Sequence, residues 1–230
     1  MSGHAEAPFG RTAELERVKR FLDAAPPTAL VFEGDAGIGK TRVWEEGVHM
    51  AARSGHRVLA TRAARSELQL PFVGLGDLLR EVLEEYLPAL PRPQRSVLKR
   101  ALLLDDVEET SVDPRATALA FLGVLRVIAA STQVVLAVDD LQWLDASSGA
   151  TLRFALRRLK TEPVRVLVTV RGTPDAQLPL EIERAFDPDR FWRVTLGPLS
   201  IGALHELLRS RLGLNLPRPG LVRLAEICHG

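Results

Sequence analysis

Residues 34–41 constrain the fold of this chain more than any other stretch, because they read GDAGIGKT. This run fits the phosphate-binding loop pattern G-x-x-x-x-G-K-[ST] at every fixed position. The apolar residues 29–32 before it predict a short buried strand, and residues 42–53 after it predict a helix. Strand, glycine loop and helix is the order that such a loop requires, which favours an α/β fold.

The residue types of this loop suit the binding of a phosphate group. Its glycines can adopt backbone angles that other residues avoid, so successive N–H groups can turn toward one anion. The Lys40 ammonium can reach terminal phosphates, and the Thr41 hydroxyl can bind Mg²⁺, which prefers oxygen ligands. A chance glycine turn before a helix is the alternative. We predict nucleotide contacts from Gly34, Asp35, Ala36, Gly37, Ile38, Gly39, Lys40 and Thr41.

The overall composition is that of an ordinary soluble domain. Hydrophobic residues make up 46% of the 230 and charged residues 26%, which allows one or two domains with a substantial core. The formal net charge of +1 provides no overall basic field for nucleic acid, although a local basic patch stays possible. The single cysteine, Cys228, excludes an intrachain disulfide, and no apolar run is long enough to cross a bilayer. We therefore expect a cytoplasmic protein without membrane contact.

Several apolar runs predict further strands of one sheet. They lie at residues 57–61, 134–138, 164–170 and 194–196. The runs alternate with helical patterns, and this alternation predicts a parallel sheet with helices on both faces.

The remaining segments have helical periodicity. Apolar residues recur at three and four positions between about 68 and 132, and again at 199–212 and 221–228. The segment PRP at 217–219 predicts a break between the last two helices. We therefore expect a nucleotide-binding domain at residues 1–198 with a helical insertion at about 68–132, followed by the start of a helical lid at 199–230.

Two aspartates follow the apolar run 134–138. Carboxylates at the end of a buried strand lie at the carboxyl edge of the sheet, where ligands bind in open α/β folds. There Asp139 can hold Mg²⁺ together with Thr41, and Asp140 can act as a general base toward water. On their own, the two aspartates would fit a simple strand-end turn. The phosphate loop upstream favours the functional interpretation.

Arg171 follows the run 164–170 and is predicted to lie at the same edge. An arginine there can approach the γ-phosphate and respond to its presence, whereas a surface arginine near a turn is the alternative. Trp143 follows the aspartates closely and can shape the site, but a core or rim aromatic residue explains it equally well.

These motifs together resemble a known family. The chain is similar to the nucleotide-binding domain of STAND-type ATPases, which are relatives of AAA+ proteins, and in particular to the ATPase module of large LuxR-family transcriptional regulators. The phosphate loop by itself is generic, whereas the leading G-R and the D-D-x-x-W-x-D run are more specific. The matching residues are Phe9-Gly10-Arg11 with Glu14-Leu15, then 34–41 with Arg42, 139–145, Arg171 and 197–200.

The resemblance implies further features of the site. It implies a P-loop NTPase three-layer sandwich whose parallel sheet has the order 5-1-4-3-2. It also implies that Phe9, Gly10 and Arg11 pack near adenine, that Pro198 covers the base from the lid side, and that Arg42 belongs to the nucleotide site. Such proteins are switches in which ADP holds a closed state, ATP permits opening and self-association, and slow Mg²⁺-dependent hydrolysis resets the cycle.

The sequence also departs from this family. It ends inside the predicted lid and contains neither the sensor repeats nor the DNA-binding helix-turn-helix of such regulators, so we expect partners in the remainder of a larger regulator. Asp140 stands where vigorous ATPases have a longer glutamate. A catalytic P-loop enzyme, either a kinase or a faster ATPase, is the alternative, although no acceptor-substrate pocket is legible. A DNA-binding module is disfavoured by the near-zero net charge.

Overall fold

The computed structural model of the protein describes residues 9–26, 28–104, 112–173 and 176–228. The outer ends of the predicted domains, residues 1–8 and 229–230, lie outside this part. The strands are β1 (Thr28–Gly34), β2 (Arg57–Arg62), β3 (Val134–Asp139), β4 (Val164–Arg171) and β5 (Phe191–Thr195). The helices are α1 (Thr12–Asp23), α2 (Lys40–Arg53), α3 (Val73–Leu79), α4 (Leu83–Tyr86), α5 (Arg92–Ala101), α6 (Pro114–Ala129), α7 (Ala146–Leu156), α8 (Ile201–Leu212) and α9 (Arg218–Cys228).

The described strands form one parallel sheet with the order β2-β3-β4-β1-β5. Read from the opposite edge this is 5-1-4-3-2, which confirms the predicted α/β fold and strand order. The register pairs Gly34 of β1 with Arg171 of β4, and Arg62 of β2 with Asp139 of β3. The carboxyl ends of β1, β3 and β4 therefore meet at one edge of the sheet.

Helices cover both faces of the sheet, and β1 shows how the sequence sorts its side chains between them. Leu30 and Phe32 pack in an apolar cluster with Trp44 from α2. The intervening Val31 packs in a second cluster with Phe121 from α6. Successive side chains of a strand point to opposite faces, so the apolar residues 29–32 of β1 are buried on both sides of the sheet, as predicted for a parallel sheet.

Helices α3 to α6 lie between β2 and β3, within the range predicted to be helical. Asp113 accepts hydrogen bonds from the N–H groups of Arg115 and Ala116, and so caps the first turn of α6. Within the described part of the chain, no helix is both long and apolar enough to span a membrane.

Two elements begin three residues earlier than predicted. β5 covers Phe191–Thr195 rather than residues 194–196, because Arg193 interrupts its apolar pattern and yet bonds to β1. The predicted break between the last two helices is present at residues 213–217, but α9 begins at Arg218, so Pro219 lies in the first turn of the helix. Proline is tolerated there because the first N–H groups of a helix have no intrahelical partner.

Candidate functional site

The loop between β1 and α2 has the backbone that its glycines predict. Gly37 and Gly39 have φ angles of 82° and 97°, in the left-handed region. Residues with a Cβ rarely adopt these backbone angles. Gly39 is also the residue at which the loop passes into α2, which begins at Lys40. The free N–H groups of this helix end, with the positive end of its dipole, therefore face the loop.

The Lys40 ammonium lies inside the curve of the loop. Its Nζ donates hydrogen bonds to the carbonyl oxygens of Gly34 at 2.9 Å and Asp35 at 2.7 Å. Burial lowers the pKa of Lys40, against the opposing effect of the Asp140 carboxylate. A cavity of about 220 Å³ opens beside the ammonium, and Thr41, Asp140 and Arg171 also line it. The structure thus brings together residues that are far apart in sequence.

Thr41, which lines this cavity, lies next to Asp139, so two side-chain oxygens that could hold a metal ion are side by side. Thr41 Oγ1 donates a hydrogen bond to Asp139 Oδ2 at 2.8 Å, and the carboxylate is largely buried. Hydroxyl and carboxylate oxygens suit Mg²⁺. No group of three or more His, Cys, Asp or Glu residues able to hold a metal occurs in the described residues. Mg²⁺ commonly keeps several waters and binds through one or two protein ligands plus nucleotide phosphates, so the residues present fit this ion.

Thr169 is a site residue that the sequence did not reveal. It is completely buried in β4, and its Oγ1 donates a 2.5 Å hydrogen bond to Asp139 Oδ1. The same hydroxyl oxygen accepts the N–H of Asp140 at 2.8 Å. Thr169 therefore fixes both aspartates. The one available signal was a polar residue near the end of a largely apolar strand.

Asp140 and Arg171 lie close to each other at the sheet edge. Arg171 Nε is 3.6 Å from Asp140 Oδ1. The Arg171 guanidinium also lies 5.9 Å from the centre of the Trp143 ring, a cation–π distance. The structure places Trp143 beside the site, and the second guanidinium next to its ring belongs to Arg65, at 5.5 Å.

Arg11 connects three parts of the chain. Its guanidinium donates to the carbonyl oxygen of Ile38 in the phosphate loop at 2.6 Å and to that of Gly197 after β5 at 2.9 Å. It also pairs with Glu14 in α1 at 2.9 Å. Arg11 is only 5% exposed, so these are buried contacts that stabilise the relative positions of the N-terminal segment, the loop and the approach to α8.

The other residues that the resemblance assigns to the base lie near Arg11. Phe9 is half-buried and Pro198 is exposed. Gly10 packs so closely against α8 that a Cβ at this position would lie 2.3 Å from the Cβ of Ala203. Arg42 lines the cavity beside the loop, but its guanidinium pairs with Glu45 at 2.8 Å.

Fold and site together define a P-loop nucleotide-binding protein of the α/β class. The sequence profile of the AAA ATPase domain family matches residues 7–168. This match spans most of the chain, and the protein belongs to that family. Among curated proteins, none matches the chain in sequence.

Solved structures show the same fold at low sequence identity. The Aeropyrum pernix ORC1 protein in complex with DNA has a TM-score of 0.58 and 14% identity, over 93% of this chain and 52% of that chain. AMPPCP-bound DnaA from Aquifex aeolicus has a TM-score of 0.50 and 16% identity, over 94% and 56%. A STAND protein with a tetratricopeptide repeat sensor from Pyrococcus horikoshii has a TM-score of 0.45 and 15% identity, over 93% and 28%. The chain thus spans about half the length, or less, of these proteins.

Proposed function

We propose that the protein is the ATP/ADP-binding switch domain of a transcriptional regulator, in which slow Mg²⁺-dependent ATP hydrolysis resets the switch. Membership of the AAA ATPase domain family supports the binding of ATP and ADP. The switch and its transcriptional setting rest on the resemblance to STAND-type modules of LuxR-family regulators. In the same proposal the protein is cytoplasmic and self-associates when ATP replaces ADP.

In this proposal each residue of the site has one task. Lys40 neutralises the terminal phosphates, for which its position inside the loop is suited. Thr41 and Asp139 hold Mg²⁺, which would offset the charge on the phosphates. Asp140 takes a proton from the attacking water, and Arg171 responds to the γ-phosphate. The remaining contacts come from the loop and, around adenine, from Phe9, Gly10, Arg11 and Pro198.

The main structural support for the proposed switch is the ion pair between Arg171 and Asp140, in which Nε lies 3.6 Å from Oδ1. The arginine that would bind the γ-phosphate is paired with the carboxylate that would activate water. A γ-phosphate competes with Asp140 for Arg171, and its arrival therefore changes both residues. This arrangement supports a slow, signal-dependent ATPase over a kinase or a fast ATPase, in which both groups would be free for chemistry.

Arg11 supplies the route from the nucleotide to the rest of the protein. It binds Ile38 in the phosphate loop and Gly197, which lies two residues before the predicted lid, so a change in the loop can act on the lid. We propose that residues 1–198 form the nucleotide-binding domain, that residues 68–132 are its helical insertion, and that residues 199–230 begin the lid. DNA binding, as seen in the A. pernix ORC1 complex, would belong to another part of the regulator.

Calorimetry on the wild type and Lys40→Ala tests nucleotide binding. We expect wild type to bind ADP and Lys40→Ala to bind it about 10- to 100-fold more weakly, since a hydrogen bond to a charged group contributes about 1.5–3 kcal/mol. Equal affinities would contradict the site. Single-turnover hydrolysis with retained ADP supports the switch, whereas turnover of roughly 1–100 s⁻¹ would favour a kinase-like catalyst. Sedimentation with ADP and with a non-hydrolysable ATP analogue tests self-association.

A further inference from the structure

Gln142 connects the two charged residues of the site through both ends of its side-chain amide. Its Nε2 donates a 2.8 Å hydrogen bond to Asp140 Oδ1. Its Oε1 accepts the backbone N–H of Arg171 at 3.0 Å. Gln142 lies in a single 3₁₀ turn, Leu141–Trp143, directly after β3, so the amide bridges the ends of β3 and β4.

An amide is the side chain that this position requires. One neighbour is a carboxylate, which needs a donor, and the other is a backbone N–H, which needs an acceptor. A carboxylate at residue 142 would satisfy Arg171 but repel Asp140, and an apolar side chain would satisfy neither. The two hydrogen bonds also fix which end of the amide is oxygen, because the reverse orientation would pair two donors and two acceptors.

The backbone of Asp140 shows why its carboxylate needs this support. Asp140 has φ 53° and ψ 53°, a left-handed conformation that non-glycine residues seldom adopt. Its carbonyl accepts the N–H of Trp143 at 2.8 Å, and its own N–H is held by Thr169. These bonds fix the main chain, and the Gln142 amide is the uncharged group that fixes the carboxylate.

We propose that Gln142 is a positioning residue, which orients the Asp140 carboxylate toward the attacking water and holds the main chain of Arg171 at the γ-phosphate position. This inference rests on the proposed function. When the γ-phosphate draws the Arg171 side chain away, the Nε2 bond still occupies Oδ1, and Oδ2 is left for water. In the step, the water oxygen bonds to the γ-phosphorus, the bond to the β–γ bridging oxygen breaks, and Asp140 takes the water proton, giving ADP and phosphate.

From the position of Gln142 we predict that its substitution changes the rate of ATP hydrolysis but leaves the affinity for ADP unchanged. It touches neither the phosphate loop nor the Thr41–Asp139 pair in the described contacts, so ADP binding does not depend on it. The rate of the chemical step depends on Asp140, and ATP binding depends on Arg171. A residue with a merely structural role would change unfolding and all nucleotide affinities together.

Two near-isosteric variants separate the ends of the amide. Gln142→Met removes both bonds, and Gln142→Glu keeps the acceptor for Arg171 but loses the donor to Asp140. Gln69→Met is the control, because Gln69 is an exposed glutamine outside this site. Single-turnover ATP hydrolysis and the dissociation constants of ADP and of a non-hydrolysable ATP analogue are measured on each full chain.

We expect both Gln142 variants to hydrolyse bound ATP roughly 10- to 100-fold more slowly, which corresponds to losing a hydrogen bond to a charged group. ADP affinity should match that of wild type in both, which also shows that the variants fold. Affinity for the ATP analogue should fall in Gln142→Met and less in Gln142→Glu. Gln69→Met should behave as wild type in every measurement.

Two results would overturn the proposal and are distinct from failure of the proposed function. If wild type binds and hydrolyses ATP while both Gln142 variants do so at the wild-type rate, Gln142 has no positioning role. If the variants lose ADP affinity in parallel with rate, its role is structural. Absence of nucleotide binding by wild type would instead reject the proposed function itself.

Discussion

Thr41 Oγ1 and Asp139 Oδ2 are joined by a 2.8 Å hydrogen bond, although the two residues are 98 positions apart in sequence. Thr41 is the last residue of the phosphate loop and lies in the first turn of α2, and Asp139 ends β3. Parallel strands bring these points together because each carboxyl end opens on the same edge of the sheet. The pair therefore offers two oxygen atoms at the edge of the sheet where we propose that nucleotide-bound Mg²⁺ lies.

Replacing Thr41 with valine tests this pair, since valine keeps the shape and removes the hydroxyl. We expect the apparent Mg²⁺ affinity of the ATP complex to fall roughly 10- to 100-fold, the range found when the surroundings of a metal are disturbed. Affinity for metal-free ADP should hardly change. Mg²⁺ titrations of ATP hydrolysis and binding measure this, and an unaltered Mg²⁺ requirement would remove Thr41 from the metal site.

Arg11 offers a test of coupling between the loop and the predicted lid. Arg11→Lys keeps the charge but cannot make three separate contacts with one compact ammonium. We expect stability to fall by about 1–3 kcal/mol and bound ADP to leave faster, because Gly197 is no longer tied to Ile38. Urea unfolding and stopped-flow release of a fluorescent ADP measure the two effects.

The matched control for that variant is Arg80→Lys. Arg80 is exposed and pairs with Asp77 one helical turn away, and such surface pairs contribute about 0–1 kcal/mol. If Arg11→Lys has no larger effect on ADP release than Arg80→Lys, the guanidinium does not couple the loop to the lid.

The phosphate loop could be predicted from sequence because its requirements are local. Each glycine and the Lys-Thr pair lie within residues 34–41, and the flanking strand and helix carry their own patterns. Most strand positions could be predicted for the same reason, because each strand has its own apolar pattern. The strand order did not follow from local pattern at all, since a crossover can lead to either side of the sheet, and it came from the family resemblance.

What the sequence could not show are contacts between distant polar residues. Glu33 is buried in β1, only 1% exposed, and would be costly there without a partner. Arg193 donates to it at 2.5 Å from β5, 160 positions away in sequence, and Thr195 donates at 3.0 Å. Thr169 and Gln142 were missed likewise, because their partners are set by strand register and by a turn rather than by neighbours in sequence.

A pH dependence of stability is expected from Glu162. Burial would raise its pKa, but backbone N–H groups, with Lys160 foremost, and the Arg126 side chain lower it to about 2. A depressed pKa contributes stability that is present above the unfolded pKa, near 4.5, and is lost as the pH falls toward about 2. Glu162→Gln should therefore cost about 1–2 kcal/mol at neutral pH, a figure reduced for partial exposure.

The difference between wild type and Glu162→Gln should shrink steadily between those two pH values. Urea unfolding at a series of pH values measures it, with Glu181→Gln as control because the ion pair of Glu181 with Arg184 lies on the surface within one turn. A gap that stays constant down to pH ~2 would show that the Glu162 charge is not what stabilises this junction of α6 and β4.

Gly10 provides the sharpest test of how α8 packs on the nucleotide domain. Gly10→Ala would place a Cβ 2.3 Å from the Cβ of Ala203, on a backbone with φ 65°. We expect a loss of about 1–2 kcal/mol from the left-handed conformation and a further loss of about 1–3 kcal/mol from the overlap. Gly55→Ala is the matched control, since Gly55 has φ 80° but nothing within 4 Å of an added Cβ, so it carries the conformational cost alone.

A second-site change isolates the overlap. Ala203→Gly removes the methyl group that an alanine at residue 10 would meet, at its own cost of about 0.5–1 kcal/mol in a helix. In a double-mutant cycle the combined variant should therefore be more stable than the sum of the single changes predicts. If Gly10→Ala is no more destabilising than Gly55→Ala, or if the cycle shows no coupling, α8 does not pack on Gly10 in solution. The proposed coupling between the phosphate loop and the lid would then lose part of its structural basis, while the phosphate loop itself would be unaffected.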